Sequence, residues 1–159
     1  MAEALGITFT IILVLLGGIV VSWIFSTSRL KLETTPEGIP AELWEALRTS
    51  GAETQGKWLG VLERLISAVA GWTQSFELVA GWLAFKVASK WEVWSNVLRL
   101  PDTFPGVEPL PYLKARRLWS SNLLMRFLIG SISNVLLGLA AAYLGKELGI
   151  LTARAIVSA

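Results

Sequence analysis

The 159-residue chain is 53% hydrophobic and only 16% charged, with a mean hydropathy of +0.58. An average soluble domain carries about 25% charged residues, so this is a membrane composition, and a net charge of +2 is too small to point to nucleic acid. The absence of Cys and His removes disulfides, thiolate ligands, Cys nucleophiles, the commonest general base and the commonest metal ligand, and leaves cysteine usage silent on compartment.

Leu5 to Phe25 contains no charge and is long enough to cross about 30 Å of hydrocarbon as a helix. No Lys or Arg precedes it and no small-x-small cleavage site follows, which argues against a secretory signal peptide. Arg29 and Lys31 come directly after it, so the positive-inside rule places the N-terminus outside. Gly17 and Gly18 read either as a close-packing point or as the ordinary glycine content of a membrane helix.

Glu33 to Pro40 is a turn-rich linker with two prolines. Pro40 opens a short amphipathic helix over about 41–50, with Leu43, Trp44 and Leu47 on one face. Such a helix lies on the cytoplasmic membrane surface, covers the bundle, or simply faces solvent.

The central stretch, Gly56 to Trp94, predicts a hairpin of two helices, 56–73 and 76–94, joined at Gly71–Ser75. Gly56, Gly60, Glu63, Ser67, Gly71 and Gln74 share one helical face, and Trp58, Leu62, Leu65, Ile66 and Val69 form a separate apolar one. Glu63 and Lys86 fall at similar depth, so each is the natural partner of the other. An unpaired charge at a bilayer centre costs roughly 2.5–3.5 kcal/mol. Arg64 needs its own escape, such as snorkelling. The alternative is a hairpin lying in the interface, which leaves the topology of the following segment unchanged.

Leu100 to Pro111 holds four of the six prolines and reads as an extended cytoplasmic connector. Lys114, Arg116 and Arg117 follow as a basic collar, first a topology signal and second a lipid-headgroup contact. A last membrane helix is expected over 121–145, followed by a short outer tail with Lys146, Glu147 and Arg154. Within that helix Arg126, Gly130, Asn134, Gly138 and Ala142 recur every four residues. The stripe reads as a packing seam, within the bundle or between subunits, across which Asn134 forms a hydrogen bond. The Lys and Arg residues are concentrated in the loops assigned to the cytoplasm, consistent with both termini outside.

The run Gly56-x-x-Leu59-Gly60-x-Leu62-Glu63-Arg64, followed by Ala84-Phe85-Lys86, resembles a pattern in uncharacterised bacterial multi-pass membrane proteins. The resemblance covers about a quarter of the chain and brings no activity. It implies that Glu63, Arg64 and Lys86 form one polar cluster.

The expectation is therefore an all-α integral membrane protein in a bacterial inner membrane, a single domain over 1–159 with four transmembrane helices: two long spans and the central hairpin. No phosphate-binding loop, metal-ligand spacing or nucleophile–base arrangement occurs, so no cofactor, metal or catalytic role is assigned. The leading reading is a non-catalytic scaffold or accessory subunit acting through helix packing. Its partners are the lipid bilayer and further copies or a larger membrane complex, without nucleic acid. The second reading is an oligomeric channel or transporter with the Glu63, Arg64 and Lys86 cluster lining a polar path. A third is a membrane enzyme using Glu63 or Lys86 on a lipid-borne substrate.

Overall fold

A computed structural model describes residues 1–27, 53–97 and 109–158, which form four helices and no strand. They are α1 (Ala2–Thr27), α2 (Glu53–Thr73), α3 (Glu77–Val97) and α4 (Pro109–Ser158). The amphipathic helix expected over 41–50 lies outside the described residues.

Helix α1 is apolar around almost its whole circumference, and its few hydroxyls are absorbed locally. Thr8, Thr10, Ser22 and Thr27 each donate to the backbone carbonyl four residues earlier, at 2.8–2.9 Å. Helix α2 ends at Thr73, and Gln74 follows with φ of 60°, the left-handed conformation that commonly closes a helix. The Ser75 amide then donates back to the Ala70 carbonyl at 3.1 Å, and the Gln74 side-chain amide donates to the Gly71 carbonyl at 2.9 Å. The turn therefore belongs to Gln74–Phe76 rather than to Gly71. Gly71 is helical, and its bare face lets Ala142 approach: a Cβ built at 71 would lie 2.8 Å from the Ala142 Cβ.

The last helix departs most from the sequence expectation. Instead of 121–145 it spans 50 residues, taking in both the end of the proline-rich connector and the C-terminal tail. Pro109 and Pro111 are accommodated because they occupy its first turn, where backbone N–H groups have no intrahelical acceptor to lose. Lys146, Glu147 and Arg154 thus sit on a continuous helix.

Neighbouring residues fix the directions of the helices. Phe25 meets Gly130, Gly17 meets Leu137, and Gly6 meets Gly145 and Gly149, so α1 and α4 are antiparallel. Gly60 meets Asn134, Ser67 meets Gly138 and Gly71 meets Ala142, so α2 runs parallel to α4. Helix α3 folds back along both, with Lys86 reaching Glu63 on α2 and Ser131 on α4. The α1–α4 contact is the most extensive and α3 is the most sparsely packed element.

Small residues make the tightest contacts. A Cβ at Gly149 would fall 2.5 Å from the Ala2 carbonyl oxygen and 2.7 Å from the Gly6 Cα, so the two backbones touch there. Gly138 is closed in by the Arg64 carbonyl and by Ser67, whose Cβ lies 2.6 Å from where a side chain would start.

Polarity is arranged inside out. The buried apolar residues are small (Val14, Ala68, Ala70, Ala141 and Ala142), whereas Thr10, Glu63, Arg64, Ser67, Lys86, Ser131 and Asn134 are buried with them. Large apolar side chains such as Ile11, Leu15, Ile19, Trp23, Leu62, Phe85, Ile132 and Leu136 are exposed. Two segments, Ala2–Thr27 and Leu124–Ser158, are long and apolar enough to cross a membrane, and only 22% and 28% of their apolar windows are buried. The central helix of a water-soluble fold would be mostly buried. Helices α2 and α3, which carry the interior charges, do not reach the same apolarity.

Candidate functional site

The site is built at the middle of the α2–α3 hairpin. Glu63 lies ten residues before the end of α2 and Lys86 nine residues after the start of α3, each about 14–15 Å from the turn at 1.5 Å per residue. Lys86 Nζ pairs with Glu63 Oε1 and also donates to Ser131 Oγ at 2.7 Å. Ser131 passes the interaction on by donating to the Phe127 carbonyl at 2.8 Å. The remaining side of the ammonium faces the Phe127 ring, 4.6 Å from its centroid, a cation–π geometry.

The second carboxylate oxygen, Oε2, accepts from Asn134 Nδ2 at 3.0 Å, while Asn134 Oδ1 accepts from Arg64 Nη1 at 2.5 Å. One amide thereby serves an anion and a cation at once, and only one orientation of it does both. Arg64 Nε donates to the Val14 carbonyl of α1 at 2.8 Å. Gly17 and Gly18 leave that carbonyl reachable: a Cβ at 17 would meet Arg64 Cδ at 3.0 Å, and one at 18 would meet Nη2 at 3.3 Å. Arg64 thus escapes sideways into α1 and α4 and stays 4% exposed, with Glu63 at 1% and Lys86 at 7%. All four helices contribute to this one network.

A second, smaller polar contact lies near the turn. Trp72 Nε1 donates to Thr10 Oγ1 at 3.0 Å, and Thr10 donates to the Gly6 carbonyl at 2.8 Å. Lys146 Nζ donates to the Gly71 and Trp72 carbonyls at 3.3 and 3.2 Å and stands 5.0 Å from the Trp72 ring centroid. A cation at the last carbonyls of α2 favours the negative end of that helix.

Of the seam residues, Asn134, Gly138 and Ala142 face α2, and Gly130 faces Phe25 of α1. The stripe is therefore used within the chain. Lys114 and Arg117 are exposed on the first turns of α4; the Arg116 side chain lies outside the described ones. They are remote in sequence from the buried network.

Sequence reasoning did not single out Ser131, Thr10, the Val14 carbonyl or the Gly6–Gly145–Gly149 contact. Ser131 lies three residues before Asn134 and so shares its face, which is a usable signal. Gly6 and Thr10, spaced by four, match Ala141, Gly145 and Gly149 on α4, but that register becomes visible only once α4 continues past 145.

No metal-binding group of acidic residues occurs among the described residues. The hydrogen-bonded groups of the network face one another, and the groove between α2 and α3 includes none of them in its lining. No protein-family model, curated protein or solved structure matches the chain.

Proposed function

We propose that the chain is an integral membrane protein with four spans and both termini outside, acting non-catalytically as a scaffold or accessory subunit through helix packing. The observation that carries this reading is the pairing of an apolar exterior with an interior whose charges engage one another. Large exposed apolar surface marks contact with lipid or with other proteins. The alternating directions of α1, α2, α3 and α4 suit four crossings, and the turn-to-Glu63 depth suits a charge pair at mid-bilayer. Helices α2 and α3, short of the apolarity of the other two, are admitted by that pairing, because a mutual ion pair offsets much of the cost of each charge.

A scaffold role follows from what the network does. Glu63, Arg64, Lys86, Asn134 and Ser131 tie together helices that small residues bring into contact, and none of them lines the groove between α2 and α3. The channel or transporter reading would need those charges to face a polar path, and their enclosure counts against it.

The test has two arms. Protein purified from membranes in mild detergent is assayed for stoichiometric co-purifying membrane subunits, and reconstituted vesicles are assayed for proton and monovalent-ion flux. Defined partners with background flux are expected. Flux that a stably folded Glu63→Gln/Lys86→Met double variant abolishes would overturn the scaffold reading in favour of transport.

A further inference from the structure

An arginine side chain carries five N–H donors in a planar fork, and burial calls for acceptors along the whole fork. Arg64 is 4% exposed, yet only two of its three nitrogens are bonded, Nε to the Val14 carbonyl and Nη1 to Asn134. Its Nη2 makes no hydrogen bond among the described residues. Among those residues Trp82 Nε1 alone is both unpartnered and sealed from its surroundings, so Nη2 keeps some accessible surface. Nη2 lies beside Gly18 of α1: a Cβ built there would stand 3.3 Å from it, and Gly18 itself is half-buried. With no side chain at 18, the flank of α1 leaves that edge of the guanidinium uncovered.

Charge points the same way. Glu63 is the one carboxylate in the network, and its two oxygens are taken by Lys86 and Asn134. Arg64 therefore has no anion bonded to it. Depth decides what kind of anion reaches it. Arg64 stands nine residues before the end of α2, and Gly18 nine residues before the end of α1. The two helices run antiparallel, so those ends face opposite sides of the membrane. Each is about 13–14 Å away at 1.5 Å per residue, close to half of the roughly 30 Å of hydrocarbon. A lipid headgroup is out of reach at that depth, and a membrane-spanning helix is not.

We propose that Arg64 Nη2 receives a carboxylate carried at mid-span by a transmembrane helix of a partner subunit, docked on α1 at Gly18. The proposal rests on the accessory-subunit reading above and names the chemistry of the partner. Gly18 and the exposed Ser22, four residues apart, leave a shallow face on which a second helix packs closely. A second copy of the chain does not supply the carboxylate. Glu3 and Glu77 begin their helices, Glu147 lies beyond mid-span, and Glu63 is already bonded.

The probe is a 23-residue Leu-Ala helix, about the length of one span, with a single Asp at its centre. Matched peptides carry Asn at the centre, or Asp moved six residues toward either end, about 9 Å away in depth. The full chain is reconstituted in dioleoyl phosphatidylcholine vesicles, and binding is read by energy transfer from its tryptophans to a dansyl label on the peptide. The wild type should bind the central-Asp peptide about tenfold more tightly than the other peptides, as expected of a hydrogen bond to a charged group. Gly18→Leu covers Nη2 and should reduce the central-Asp peptide to the level of central Asn, with binding of the Asn peptide unchanged. Equal binding of the three peptides by the wild type would overturn the proposal, and that arm needs no variant to fold. A preference that survives in a folded Gly18→Leu would overturn it too, as would displacement of the central-Asp peptide by equimolar oleate, which would assign the site to a lipid carboxylate. Co-purification tests the accessory reading separately: its failure refutes that reading whatever the peptides do, while subunits that stay bound to Gly18→Leu refute only the site.

Discussion

Glu63 is the residue on which the interior depends. The network contains one carboxylate and two cations, Arg64 and Lys86, so it is formally one unit positive. Asn134, Ser131, the Val14 carbonyl and the Phe127 ring spread that excess. The two halves of the ion pair are therefore unequal. Glu63→Gln leaves two buried cations without an anion and should lower stability by about 3–5 kcal/mol. Lys86→Met leaves Glu63 beside Arg64, a neutral combination, and should cost about 1–3 kcal/mol. The double variant should recover part of the sum, with a coupling of about 0.5–3 kcal/mol in a double-mutant cycle read by detergent melting. Strict additivity would mean that the two side chains do not interact. Glycines offer a second comparison at this scale. Gly138→Ala has no room against the Arg64 carbonyl and should lose about 1–3 kcal/mol, whereas Gly81→Ala opens onto free space and should change melting by no more than about 0.5 kcal/mol.

At the scale of elements, α2 is held at two heights: by the charged network in its middle and by Trp72, Thr10 and Lys146 at its end. Removing either contact at the end should loosen α2 without releasing the middle. Trp72→Phe, which deletes the bond to Thr10 and shrinks the ring packed against Gly6, should cost about 1–3 kcal/mol, and Lys146→Met about 0.3–1 kcal/mol, both read as drops in melting temperature. The hairpin and the approach of Glu63 to Lys86 were legible because the two residues stand at nearly equal distances from a recognisable turn. The polar and apolar faces of α2 were legible too: Glu63 and Ser67 are buried while Trp58, Leu62, Leu65 and Val69 are exposed. What could not be read was local chemistry overridden by context. Prolines 109 and 111 look like helix breakers until they fall in a first turn, and Gly71 looks like a turn residue until Gln74 takes the left-handed position. Arg64 looked like a candidate for snorkelling because a linear sequence does not show that Gly17 and Gly18 bare a carbonyl on a distant helix.

The whole molecule places its adhesive groups inside and its greasy ones outside, the arrangement suited to a solvent that cannot hydrogen-bond. In such a solvent helix association draws on close packing and interhelical hydrogen bonds rather than on the hydrophobic effect. Gly138 against Arg64, Gly149 against Gly6 and the network of Glu63 supply both. The proposed four-span topology puts the α2–α3 turn on the side of the two termini, with Lys114 on the opposite side. Because the chain contains no cysteine, single-cysteine variants report position without background. The most direct measurement is labelling of intact cells with a membrane-impermeant maleimide at Gln74→Cys, Lys114→Cys and Ser158→Cys, all exposed positions. Positions 74 and 158 should label from outside, and position 114 only after the membrane is opened. If position 158 labels from outside while position 74 labels only after opening, the hairpin does not cross the membrane, and the account of Glu63 and Lys86 as a mid-bilayer pair is contradicted.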